Sequence, residues 1–194
     1  MLDPSFFSYV TVMSITPGPN NLLLATSGVN FGMRRTLPMM FGILLGCAVQ
    51  TVIAGMALEV LLHWMSAIRL PLTLAGCTYL LWLSWKIFRA AAPETRTRPQ
   101  PITLLGGACF QAINPKAWLM ALGAVASFSL AGDAYRHSIA AISIGMFMVN
   151  LLSGAIWMGF GAMIGRILRS RRAWKIFNLA MGLLTAACVL LIWH

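Results

Sequence analysis

Thirty consecutive residues between Asp3 and Arg34 carry no charged side chain, and comparable gaps recur along the whole chain. Arg35 to Glu59 encloses twenty-three uncharged residues, Arg69 to Lys86 sixteen, Arg136 to Arg166 twenty-nine, and positions 176–193 add eighteen. From Arg98 to Asp133 the apolar sequence is broken by a single charge, Lys116. A helix needs ~20 residues to cross a hydrocarbon core of ~30 Å. The gaps therefore predict six spans, near 5–29, 37–62, 68–87, 103–131, 138–164 and 175–193. Composition excludes the soluble alternatives, because only 9% of residues are charged where about 25% is usual in water. The net charge of +10 comes from short basic clusters between apolar runs, which is not a nucleic-acid footprint. The expected fold class is an all-α integral membrane protein, one transmembrane domain over 1–194, with membrane lipid around it.

The basic clusters set the topology. Arg34 and Arg35, then Lys86, Arg89, Arg96 and Arg98, then Arg166, Arg169, Arg171, Arg172 and Lys175 fall on one side, against Arg69 and Arg136 on the other. The positive-inside rule places the crowded side in the cytoplasm and both termini outside. The N-terminus starts on Asp3 and its apolar run far exceeds a signal core, so a cleaved secretory signal is not expected. Cys47, Cys77, Cys109 and Cys188 each fall in a different span and read as small apolar packing residues. Without Cys/His spacing, no metal or cofactor is expected.

Three spans precede the Pro-, Thr- and Arg-rich segment 86–103 and three follow it, dividing the chain into halves of about 5–88 and 103–194. The first span of each half is interrupted about eleven residues in: TPGPNN at Thr16–Asn21, and NPK at Asn114–Lys116. Gly46, Gln50 and Gly55 in span 2 correspond loosely to Gly145, Asn150 and Gly154 in span 5. An odd number of spans per half makes the two halves insert in opposite directions, a 3+3 inverted repeat with a broken first helix in each. Pro17 and Pro19 remove backbone donors, and Gly18 between them tolerates non-helical angles. Such a break survives in lipid only where it is buried in protein or lines a wet cavity.

Asn20 and Asn21 open the second half-helix, whose N-terminal end receives a carboxylate. Asn114, Pro115 and Lys116 repeat the device and add a full positive charge. Lys116 lies some twelve residues from either end of its span, too deep to snorkel fully. The bland alternatives are a simple proline kink and a lysine satisfied by carbonyls. Gln50 and Asn150 are candidates for the same cavity, with interhelical hydrogen bonding as their ordinary role. Gly42-xxx-Gly46 and Gly161-xxx-Gly165 read as close helix packing.

TPGPNNLLL, FGILLG in span 2, AGCTYLLWLSWKIFR in span 3 and INPKAW in span 4 resemble the LysE/RhtB family of bacterial amino-acid exporters. The resemblance covers essentially the whole chain. It implies efflux of amino acids or their derivatives across the inner membrane, coupled to proton re-entry. The doubled asparagine and short length look closest to the cysteine and O-acetylserine exporter branch. Gly76-Cys77-Thr78 and Ser84 depart from the family pattern, so no one member's substrate carries over.

The residues bound the substrate independently. One deep cation and no deep acid suit a zwitterion, whose carboxylate faces Lys116 and the Asn20 helix end. A second substrate cation would have no partner at low dielectric. Serine, cysteine, threonine and homoserine are therefore favoured over lysine, with alternating access arising from one half moving against the other. An anion channel or small-anion exporter is the alternative. An enzyme is not expected: there is no GxSxG, HExxH or buried acid pair, and His63, His137 and His194 map to outer loops or the terminus. A six-helix bundle is thin enough for a homodimer, though nothing in the sequence demands one.

Overall fold

The computed structural model describes residues 2–57, helical positions 70, 71, 74, 75, 77, 78, 81, 82, 84, 85 and 88 with a turn at 89, then 100–167 and 170–193. Glu59, the end of the second span and most of the segment joining the halves lie outside the described residues. The remaining elements are α1 (Pro4–Ile15), α2 (Pro19–Met56), α3 (Leu104–Ala112), α4 (Pro115–Phe128), α5 (Tyr135–Ile167) and α6 (Arg171–Trp193). A 3-10 turn at Gly132–Ala134 leads into α5. No strand occurs among the described residues.

Asp3 starts α1 as its N-cap, accepting from the Phe6 N–H at 2.9 Å. That hydrogen bond, with one from Ser5, holds the Asp3 carboxyl below the usual carboxylate value. α2 is two arms, 19–31 and 33–56, joined at Gly32, where φ is +74°. Glycine adopts that angle without the steric cost other residues meet. Ser27 Oγ and Thr36 Oγ1 lie 2.8 Å apart across this turn, although nine residues of straight helix would separate them by ~13 Å. The arms therefore fold back on each other. The sequence suggested a connection of several residues here; the actual turn needs one, because Thr36 also caps it by donating to Gly32 O.

Contacts between elements give the directions. Phe6 meets Gly145, Ser14 meets Asn150 and Ile15 meets Trp157, so α1 and α5 run parallel. Met39 and Ile43 meet Gly107 while Gly46 meets Gln111, so the second arm of α2 runs parallel to α3. Gly55 O accepts from Tyr135 Oη, and Ala48 O from Ser143 Oγ, which makes that arm antiparallel to α5. Tyr9 meets Met120, Thr16 meets Lys116 and Asn20 meets Asn114, so the two interrupted helices are antiparallel and their breaks adjoin.

Two apolar clusters flank that level. One gathers Phe6 and Val10 with Ala124, Val125, Ile139 and Ile142. The other joins Leu22–Ala25 with Met39, Met40, Ile43, Leu44, Phe110 and Met158. Outside, Ile144, Met148, Leu152, Ile156, Phe160 and Met163 form an exposed stripe along α5. A stripe of that length facing water would be an association surface; in a bilayer it is ordinary lipid contact.

Candidate functional site

Thr16, Pro17 and Gly18 are the non-helical residues of the first break. Pro19 does not interrupt anything: it sits at the first position of α2 with Gly18 as N-cap, where a missing N–H costs nothing. Pro115 heads α4 in the same way, with Asn114 as N-cap. Each break leaves carbonyls that neighbouring side chains collect. Asn21 Nδ2 donates to Ser14 O at 2.6 Å and to Thr16 O at 2.9 Å. Ser153 Oγ donates to Ser14 O, and Trp157 Nε1 to Ile15 O. At the second break, Gln50 Nε2 donates to Gln111 O and Trp118 Nε1 to Ala112 O.

Lys116 joins the two breaks. Its ammonium donates to Thr16 Oγ1 at 2.9 Å, Thr16 O at 3.1 Å and Pro17 O at 3.5 Å. The two readings of this lysine thus coexist: carbonyls do satisfy it, and it also lines a cavity between the breaks. That cavity measures about 40 Å³, with Ser14, Gly18, Pro19, Asn20, Asn21, Asn114, Lys116 and Asn150 at its polar side. Met13, Met40, Met120, Met146 and Cys47, five sulfur-bearing side chains, also line it.

Asn150 Oδ1 accepts from Ser14 Oγ at 2.9 Å. Its Nδ2 is buried with no hydrogen-bond partner among the described residues. Pro17, Pro115 and Gln50 do not line the cavity; Gln50 serves the backbone of the second break instead. Among the described residues there is no cluster of His, Cys, Asp or Glu able to hold a metal ion.

Gln111 was not singled out from the sequence. It is fully buried and its side chain meets Asn20, Asn114 and Cys47. The available signal was an amide side chain within an apolar run, three residues before Asn114 and so next to the break.

Gly18 is extended (φ −176°), so alanine is sterically allowed there. A methyl group at that position would stand 2.9 Å from Lys116 Nζ and 3.1 Å from its Cδ. Gly18→Ala is expected to displace the ammonium from the Thr16 and Pro17 carbonyls and weaken transport several-fold at unchanged membrane abundance. Transport assays normalised to quantitative immunoblots check this; native rates would show that the Lys116 position does not matter.

The profile of the LysE type translocators matches residues 11–192. Cysteine/O-acetylserine efflux proteins of Salmonella paratyphi A and Salmonella typhi are each 27% identical to this chain, over 100% of its length and 98% of theirs. The protein of that name from Escherichia coli O1:K1 is 26% identical, over 98% of this chain and 96% of its own. No solved structure gives a significant match. With nearly its whole length matched, the chain belongs to the family of LysE type translocators, multi-pass membrane transporters and not enzymes.

Proposed function

We propose that the chain exports small neutral amino acids and their derivatives, of the serine, cysteine and O-acetylserine type, across the inner membrane. The observation that carries this is the donor-rich face of the cavity. Lys116, Asn20, Asn21 and Asn150, whose buried Nδ2 has no hydrogen-bond partner among the described residues, all line it, and Asn20 and Asn21 lie in the first turn of α2. A carboxylate accepts from such a set, and each charge-assisted bond is about twice as strong as a neutral one. The sulfur-bearing side chains that also line the cavity suit a short, polarizable side chain. Relatives named for cysteine and O-acetylserine efflux support the same substrate class.

A cavity of about 40 Å³ is closed to such a molecule, since an engineered cavity that takes benzene measures ~150 Å³. Transport on this reading needs alternating access. The tightest packing supports a reading of which bodies move together. Gly28, Gly161 and Gly165 bring the first arm of α2 onto the α5 backbone, while Gly42 and Gly107 bring its second arm onto α3. Each pair joins an element from before the central segment to one from after it. These contacts favour moving units that join elements of both halves, with bends at Gly32 and at Ile113–Asn114, as an alternative to one half moving against the other. The 3+3 inverted repeat, external termini and proton coupling belong to the same proposal. Anionic lipid neutralises the basic loops, and a homodimer is compatible with the exposed α5 stripe.

Proteoliposomes loaded with labelled serine, cysteine, O-acetylserine, threonine, homoserine or lysine test it under an imposed pH gradient. Saturable, gradient-dependent flux of a neutral substrate is expected. Flux of lysine alone would overturn the one-cation argument, and non-saturable flux of simple anions would make the protein a channel.

A further inference from the structure

We propose that Gln111 is a positioning residue of the transport site, engaging the Asn20 oxygen directly and holding the Asn114 amide that also donates to it, so that a hydrogen-bond donor of Asn20 faces the substrate. It rests on the export reading above.

A primary amide offers two N–H donors and one oxygen with two lone pairs. Asn20 Oδ1 accepts from Gln111 Nε2 and from Asn114 Nδ2, each at 2.9 Å, so both of its lone pairs are engaged. Asn114 Nδ2 spends its second hydrogen on Gln111 Oε1 at 3.3 Å, and Asn114 Oδ1 caps Ala117 N. Asn20 Nδ2 gives one hydrogen to Gln111 Oε1 at 3.2 Å. What this node leaves over for the cavity is the second N–H of Asn20, a donor.

Gln111 itself does not line the cavity, whereas Asn20 and Asn114 do. Its own place is well defined. Gln50 holds its backbone oxygen, Cys47 Sγ lies 3.4 Å from its Oε1, and Gly46 makes room for it. A Cβ on Gly46 would stand 2.7 Å from Gln111 Cγ. Without the Gln111 amide, Asn20 can rotate and turn its oxygen toward the cavity, where it repels a carboxylate. That change weakens substrate binding without touching the machinery of movement.

The test compares export kinetics of cysteine and O-acetylserine by Gln111→Leu, Asn20→Ala and the double variant, each scaled to membrane abundance. The expected result for Gln111→Leu is a KM about tenfold higher with the maximal rate per molecule within about twofold of native. The double variant should be no worse than Asn20→Ala alone, because the two residues act as one unit. A second readout needs no transport. With Cys47 as the sole cysteine, Gln111→Leu should speed its alkylation by N-ethylmaleimide several-fold, since the thiol loses its acceptor.

An unchanged KM with a maximal rate that falls with abundance would make Gln111 merely structural and overturn the proposal. Additive effects in the double variant, or an unchanged Cys47 rate, would overturn it too. If the native protein exports neither compound, the export reading falls by itself, and the Cys47 rate decides whether Gln111 orders the node.

Discussion

Lys116→Ala should reduce saturable export by at least about thirtyfold while the protein still reaches the membrane in native amount. The size follows from what the ammonium does. It donates to Thr16 and to Pro17 O, contacts that a substrate carboxylate would take over. Truncating one partner of a desolvated charge pair costs about 2–5 kcal/mol, and the lower bound already corresponds to about thirtyfold. Lys116→Met keeps most of the volume and removes only the charge, so it should fail equally. Lys116→Arg keeps the charge but presents a planar fork against a cleft fitted to Gly18, and should recover only part of the flux. Export by Lys116→Met within threefold of native, at matched abundance, would sink the carboxylate role. Abundance itself is not expected to fall, because the Thr16 and Pro17 oxygens stay next to a wet cavity.

Those parts of the site that depend on local backbone chemistry were legible in the sequence. A proline removes a donor wherever it stands, so TPGPNN and NPK announced interrupted helices, and the structure breaks at Thr16–Gly18 and Ile113–Asn114. Lys116 was equally legible, since a charge amid long apolar sequence is costly without a purpose. The role of each proline was less so. Pro17 lies in the break, but Pro19 and Pro115 begin helices, and one proline looks like another until the capping residue is known.

What could not be read from spacing is whatever several elements build together. The sulfur-bearing lining of the cavity draws Met13 from α1, Met40 and Cys47 from the second arm of α2, Met120 from α4 and Met146 from α5. No periodicity links these positions. Gln111 was missed for the same reason, since a glutamine in an apolar helix looks like any interhelical hydrogen bonder until Asn20 is found opposite it. Gln50 and Asn150 both read as cavity candidates with interhelical hydrogen bonding as their ordinary role; Gln50 takes the ordinary role by donating to Gln111 O, while Asn150 lines the cavity. The tight turn at Gly32 depends on Thr36 closing back onto it, which two basic residues in between concealed. The close-packing reading of Gly42, Gly46, Gly161 and Gly165 needed only small residues four apart, a local signal, and all four glycines meet a neighbouring helix closely.

Those glycines predict the largest effects on stability. On α5, a Cβ at Gly161 would run into Ala25 O and the carbon bearing it, whereas a Cβ at Gly159 meets nothing within 4 Å. Two alanine substitutions two residues apart should therefore differ in sign. Gly159→Ala should be neutral or stabilise by roughly 0.5–1 kcal/mol, because alanine loses less freedom in a helix. Gly161→Ala should destabilise by about 3 kcal/mol, the upper part of the overpacking range, because the obstructing atoms are backbone and cannot rotate away. Gly42→Ala, facing Leu104 O, should behave like Gly161→Ala. Thermal unfolding in detergent and steady-state abundance measure all three; equal behaviour of the Gly159 and Gly161 variants would refute the close approach. The contrast also bears on transport. Under the alternating-access proposal, a packing that one methyl group disrupts does not slide during turnover, and each of these two helix pairs travels as a unit. That proposal leaves motion to the places where the backbone is already bent, Gly32 between the arms of α2 and Ile113–Asn114 between α3 and α4.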